Sequence, residues 1–173
     1  HYPSSMSEIH KFLFDGLPLK GAIVRLDDSW QEVLRRRAAN KQTGAYATPV
    51  AELLGEMLAA GCLMQSAIKF NGALILQMQS EGAVKLAVAE VQNDMALRAT
   101  ATVQGEVAAD ASLPDLMPQG QCAVTLDPRD RLPGQQPYQG VVALNHADGE
   151  PLDNLAQALR SYMAFSEQLD TYF

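Results

Sequence analysis

The chain has 173 residues, a net charge of −7 at pH 7 and a pI near 4.8. This length suits one domain with a sizeable core, and an apolar content of 47% argues against a disordered chain. The acidic balance repels a phosphate backbone, so nucleic-acid binding would need a strong local basic patch.

The N-terminal third predicts short strands followed by a helix. Residues 1–7 are interpreted as a leader that lies outside the fold. Residues 11–14 and 19–26 read as two short strands around Gly16, Pro18 and Gly21. Asp27 or Asp28 can then cap a helix that runs through Arg37.

A second, longer helix is indicated by Thr48 followed by Pro49, because the hydroxyl can accept an orphan amide hydrogen and proline needs no donor there. It should run to about Lys69. Apolar residues cover more than one stripe of this helix, so it should lie between layers. Its most apolar stretch, 57–64, is far shorter than a membrane span of about 20 residues.

The second half of the chain predicts strands and a closing helix. Alternation and tight turns predict strands at 73–80, 84–91 and 95–103, which form an antiparallel meander. Two more strands, at 122–126 and 138–144, flank a turn region rich in Pro and Gly. An amphipathic helix at 152–169 closes a single α+β domain, for which no internal repeat is found.

The meander has one firmly apolar face by period-two alternation. We predict that this core face comprises Leu74, Leu76, Met78, Val84, Leu86, Val88, Leu97 and Val103. The opposite face should be polar, yet it offers small apolar residues among polar ones. We predict that these residues bind apolar polypeptide: Ile75, Ala87, Ala89, Ala96, Val141 and Ala143. Another layer of the same domain, or a subunit contact, is the alternative cover for this face.

Candidate catalytic and metal-binding groups do not form a recognisable set. Cys62 and Cys122 lie far apart without CxC or CxxC spacing, which favours core thiols. Glu52 and Glu56 are an i,i+4 pair without a histidine at related spacing, and His10 and His146 stand alone. No glycine-rich phosphate loop occurs, so we expect no catalytic residue, no metal and no cofactor in these residues.

The arginine run at positions 35–37 is the one basic cluster. It favours a solvated helix end that complements the helix dipole, with an RNA-binding module as the alternative. A thiol-dependent enzyme built on Cys62, or a carboxylate enzyme built on Glu52 and Glu56, is a further alternative.

Several segments resemble the bacterial heat shock protein 33 family, and they occur in order over nearly the whole chain. They are KFLFD at 11–15, GAIVRL at 21–26, LLGEMLAA at 53–60, KFNGALILQMQS at 69–80, LRATA at 97–101, YQGVV at 138–142 and YMAFSEQL at 162–169.

This resemblance implies a cytoplasmic, ATP-independent holdase chaperone that binds unfolding proteins and is regulated by redox state. It also implies an α+β core domain with two antiparallel or mixed sheets and helices packed between them, and a possible homodimer. The family's switch is a C-terminal zinc domain with CxC and CxxC pairs, which Cys62 and Cys122 do not match. We therefore expect residues 8–173 to be the N-terminal core domain, with zinc bound only in the family's C-terminal domain.

Overall fold

The computed structural model describes residues 27–41, 44–68, 70–94, 96–145, 148–150, 155 and 159. The strands predicted at 11–14 and 19–26, and residues His10 and His146, lie outside these residues. Of the closing helix predicted at 152–169, the structure describes Leu155 and Leu159, which are helical and buried.

The described elements are helices and the strands of one antiparallel sheet. In chain order they are α1 (Asp27–Ala38), α2 (Thr48–Ile68), β1 (Gly72–Gln79), β2 (Val84–Gln92), β3 (Leu97–Val103), α3 (Leu113–Leu116), β4 (Gln121–Pro128) and β5 (Tyr138–Ala143). The sheet has five strands in the order β3-β2-β1-β4-β5. The predicted elements in this region are confirmed to within two residues at each end. The short α3, which begins after Ser112, was not predicted from the sequence.

Helix α2 lies across one face of the sheet and packs mainly against β2 and β3. Its buried side chains join those of the strands in one core, with Leu54, Met57, Leu58 and Met64 opposite Leu74, Leu76 and Met78 among the fully buried residues. A Cβ added at Gly61 would lie 2.8 Å from Val91 Cγ2, so glycine permits the close approach of helix and strand.

Hydrogen bonds of the Gln65 side chain link the C-terminal end of α2 to strands β1 and β2. Its side-chain amide donates to the carbonyl oxygens of Gly72 at 3.0 Å and Val91 at 3.3 Å. Its side-chain oxygen accepts from the Phe70 backbone N–H at 3.2 Å. Because Gln65 is only 3% exposed, these three bonds satisfy groups that water does not reach.

Strand β2 changes face after its first residues. A register irregularity separates the Val84–Val103 pair from the Leu86–Thr102 pair. Val84 is buried in the core, and the next buried residues are Ala87 and Ala89, which are 0% and 1% exposed. The predicted alternation is therefore wrong for Leu86 and Val88, because a bulge inserts an extra residue and reverses the side on which the later side chains of β2 point. Leu97 and Val103 of β3 pack against the core, as predicted.

The α+β class is confirmed. The described residues contain one five-stranded sheet, with α2 packed on one side of it. The second sheet stays a prediction, and the strands predicted at 11–14 and 19–26 lie outside the described part of the chain.

Candidate functional site

The sheet face opposite α2, here called the outer face, carries apolar side chains between polar ones. Cross-strand register places Val88, Gln77, Ala123 and Val141 in one row across β2, β1, β4 and β5. The neighbouring rows contribute Ile75 and Leu86. Val141 is 56% exposed, and Ile75, Leu86 and Val88 are half-buried. The outer face can therefore offer apolar area to a polypeptide.

The six residues predicted to bind polypeptide do not share one surface. Ile75, Val141 and Ala143 lie on the outer face, as predicted. Ala87 and Ala89 instead lie buried beneath α2, so their assignment to the outer face is wrong because of the bulge in β2. Ala96 is exposed just before β3, in a cleft beside the outer face. Binding of client protein at the three outer-face residues stays a prediction.

Leu86 and Val88 are the outer-face residues that sequence reasoning placed in the core. The alanines of the paired strands β2 and β3 indicate which side chains of β2 face the core. Ala87 pairs with Ala101, and Ala89 pairs with Ala99. Small residues at matched positions indicate the face on which a helix backbone approaches closely, and Gly61 of α2 lies against Val91, on the same face of β2.

The arginine run is engaged in contacts within the chain. The Arg35 guanidinium donates to both carboxylate oxygens of Glu32, and Arg36 Nε donates to Glu32 Oε1 at 2.8 Å. These hydrogen bonds lower the pKa of Glu32 to about 2. Arg37 donates to the Gly44 carbonyl at 3.2 Å, and its guanidinium carbon lies 4.3 Å from the centre of the Tyr46 ring. This geometry assigns Arg37 a structural contact rather than a free solvated end.

A cleft of about 550 Å³ lies between α1 and the outer edge of β3. Arg36, Arg37 and Tyr46 line one side, and Arg98 and Thr100 line the other. The Tyr46 hydroxyl accepts a hydrogen bond from the Ala101 backbone N–H at 3.0 Å. Arg98 pairs with Glu90 across the neighbouring strand. The cleft therefore joins cationic side chains to the edge of the sheet.

Both cysteines are buried free thiols. Burial raises the pKa of Cys62 to about 11 and that of Cys122 to about 12. The reactive form of cysteine is the thiolate, so both thiols are poor nucleophiles and poor metal ligands at neutral pH. This environment argues against a thiol-dependent enzyme and against a zinc site on these two residues.

The two glutamates of α2 lie beside a small pocket of about 180 Å³. Glu52 and Glu56 line it together with Leu113, Leu116 and Leu155. Within the described part of the chain, no three histidine, cysteine or acidic side chains come together where they could hold a metal ion. The pocket therefore places the glutamates against leucines, without a further metal ligand among the described residues.

Among the described residues, none of the helices combines the length and the apolar character needed to cross a membrane.

The fold of the described residues is that of an α+β domain for which a solved structure gives a match. The described architecture is similar to the solved structure of the 33 kDa chaperonin of Thermotoga maritima, with a TM-score of 0.56. That alignment covers 80% of this chain and 44% of the other at 22% identity, so it concerns the fold alone.

The family follows from sequence comparison. A family model described as Hsp33 protein matches residues 7–173, and the chain belongs to this family. The chain is 44% identical over 164 residues to the 33 kDa chaperonin of Chromobacterium violaceum, covering 95% of this chain and 51% of that protein. It is 42% identical over 171 residues to the 33 kDa chaperonin of Pseudomonas aeruginosa, covering 98% and 52%. The chain spans about half the length of these relatives.

Proposed function

We propose that this chain is the client-binding core of a holdase chaperone, which captures unfolding proteins through the outer face of its sheet. The observation that carries the proposal is the row of apolar side chains on that face, with Val141 56% exposed at its edge. In a sheet with one face exposed to solvent, side chains along each strand are expected to alternate between apolar ones on the buried face and polar ones on the exposed face. Apolar residues on the exposed face therefore indicate a surface that binds a partner.

The energetics favour reversible capture of a client. Apolar surface removed from water contributes roughly 25 cal/mol per Å², so a contact of about 200 Å² contributes roughly 5 kcal/mol before the cost of ordering the client. The outer face mixes apolar residues with Gln77, Thr100 and Thr125, which limits the apolar area that a client can bury there. A partner held this weakly can be released without nucleotide hydrolysis, which is consistent with ATP independence.

The remaining attributes implied by the family resemblance are part of the same proposal. We infer a cytoplasmic protein whose clients are unfolding polypeptides, which is active without ATP and can form a homodimer. Redox control through zinc-bound cysteines belongs, in this proposal, to the C-terminal domain of the full-length family members. Cys62 and Cys122 do not fit that zinc site, because both thiols are buried and hold their protons at neutral pH.

Replacing the apolar row with polar residues of similar shape tests the outer face. We expect the double variant Val88→Thr/Val141→Thr to suppress the aggregation of thermally unfolding citrate synthase several-fold less well than the parent chain, at equal concentration. Threonine keeps the branched shape and the strand propensity of valine, so the fold should persist while the face becomes polar. Light scattering gives the aggregation rate, and circular dichroism checks the fold.

A reciprocal variant on the same row supplies the control. Thr100 pairs with Val88 and is exposed, so Thr100→Val extends the apolar row and should improve suppression. Equal activity of the parent chain and both variants would show that clients do not bind the outer face. A parent chain that leaves aggregation unchanged would overturn the chaperone proposal itself.

A further inference from the structure

Strand β3 is an edge strand of the described sheet, and its backbone orientation can be read from its hydrogen bonds. The Ala96 carbonyl accepts from Gln92, and the Gln104 N–H donates to Ala83, so even-numbered positions point toward β2. The Ala101 N–H points the other way, to the Tyr46 hydroxyl. Because successive residues of a strand alternate between its two edges, Ala99 and Leu97 also direct their N–H and C=O groups outward, into the cleft beside α1.

These outward groups are open to a partner strand. Within the part of the chain that the structure describes, the outward N–H and C=O groups of Leu97 and Ala99 have no hydrogen-bond partner. The Tyr46 oxygen occupies, at 3.0 Å from the Ala101 nitrogen, a place where a neighbouring strand would put a carbonyl. Tyr46 therefore closes one end of the edge and leaves the stretch before it accessible.

The walls of the cleft carry positively charged side chains, which favour an acidic partner. Arg36, Arg37 and Arg98 line it together with one acidic residue, Glu32, although the whole chain carries a net charge of −7. The side chains of Arg36 and Arg98 are 77% and 79% exposed. Each keeps donors available beyond its contact with a glutamate, since a guanidinium has five N–H groups. Acidic side chains of an extended segment would find these donors on either side of the edge.

We propose that the β3 edge binds an extended, acidic segment of a client polypeptide as an added antiparallel or parallel strand. This inference rests on the proposed chaperone function and specifies one mode of client capture. Backbone hydrogen bonds to Ala99 and Leu97 supply binding that tolerates many sequences, as in other cases of strand addition. The arginines supply the preference for acidic segments. Unfolding proteins offer such segments because their own sheet partners are lost.

A pair of peptides tests the role of the backbone without altering the protein. The probe is a fluorescein-labelled decapeptide of alternating valine and glutamate, and the matched control has the same sequence with its central amides N-methylated. We expect saturable binding of the probe by fluorescence anisotropy and at least tenfold weaker binding of the control. A peptide with lysine in place of glutamate should also bind at least tenfold more weakly. Equal binding of probe and N-methylated control would overturn the inference.

Variants on the protein side locate the site. Ala99→Pro removes an outward donor and no bond to β2, a position that edge strands tolerate, and should weaken probe binding at least fivefold. Arg36→Gln/Arg98→Gln should weaken binding of the acidic probe and strengthen binding of the lysine peptide, because it removes two positive charges that pair with Glu32 and Glu90. Leu132→Ser, at an exposed position between β4 and β5 and away from both the cleft and the outer face, should leave probe binding unchanged. Unaltered probe binding by both edge variants would place the peptide elsewhere and overturn the inference.

Two outcomes separate this inference from the proposed function. If the chain suppresses aggregation but shows no saturable binding of the probe, the edge-strand inference fails and the chaperone proposal stands. If the chain dimerises in sedimentation velocity, Ala99→Pro abolishes the dimer and the dimer does not bind the probe, a second copy of the chain occupies the edge and the inference is also overturned. If aggregation is not suppressed at all, the proposed function fails whatever the probe does.

Discussion

At the residue scale, Gln65 shows how a polar side chain can be required inside an apolar interface. Its neighbours in sequence along α2 are mostly apolar, and from the sequence it reads as a break in the apolar run. The fold instead brings three backbone groups to it, from Phe70, Gly72 and Val91. A sequence pattern cannot anticipate this position, because Val91 belongs to a strand that reaches the helix end only after the sheet has formed.

We expect Gln65→Met to destabilise the chain by about 1–3 kcal/mol, because methionine matches the length of the side chain but leaves buried backbone groups unpaired. Urea denaturation followed by circular dichroism measures the free energy of unfolding. Gln79→Met is the matched control, since Gln79 is exposed, and should change stability by less than about 0.5 kcal/mol. Equal effects of the two substitutions would show that the Gln65 bonds add nothing to stability.

The arginine run makes a second point at the same scale. A basic cluster in a sequence predicts only that positive charge is concentrated there. The contacts of these arginines depend on groups from other parts of the chain. Arg37 contacts the Gly44 carbonyl and the Tyr46 ring, both of which lie in the loop after α1. The solvated helix end that the sequence favours describes Arg35 and Arg36 better than Arg37, since both remain exposed in their pairing with Glu32.

At the element scale, helix and strand positions could be predicted because caps, turns and periodicity are local signals. The Thr48-Pro49 start of α2 and the tight turns between β1, β2 and β3 are of this kind. The faces of the strands were harder, since one bulge near Lys85 reverses the alternation of all later residues in β2. Ala87 and Ala89 were thus assigned to the outer face although they pack beneath α2.

Threonine substitutions at two adjacent positions of β2 test which of the two side chains faces the core. Ala87→Thr should cost about 1–3 kcal/mol, because it adds volume and a hydroxyl to a fully buried site beneath α2. Leu86→Thr should cost less than about 1.5 kcal/mol, since Leu86 is only half-buried on the outer face. Thermal and urea denaturation of both variants give the comparison. The reverse order of destabilisation would restore the unbroken alternation and contradict the bulge.

At the scale of the whole molecule, the chain has two chemically distinct surfaces around one sheet. Helix α2 covers one side of the sheet, and both cysteines are buried in the core. The other side is the outer face, which carries Val141 and the other apolar residues of its row. In the proposed function, capture of clients at the outer face is therefore separable from a response of the buried thiols to oxidants. The relatives are about twice as long, which leaves room in them for a separate regulatory part.

This separation predicts how the 173-residue chain responds to oxidants. Hydrogen peroxide at neutral pH should leave both its thiols and its suppression of aggregation unchanged, because thiols with pKa values of about 11 and 12 stay protonated and are shielded from solvent. Mass spectrometry after alkylation in urea counts the intact thiols, and light scattering with citrate synthase measures suppression. Cys62→Ala/Cys122→Ala serves as the thiol-free control and should behave like the parent chain. A gain of suppression after peroxide that is absent from this control would show that the core domain itself carries a redox switch.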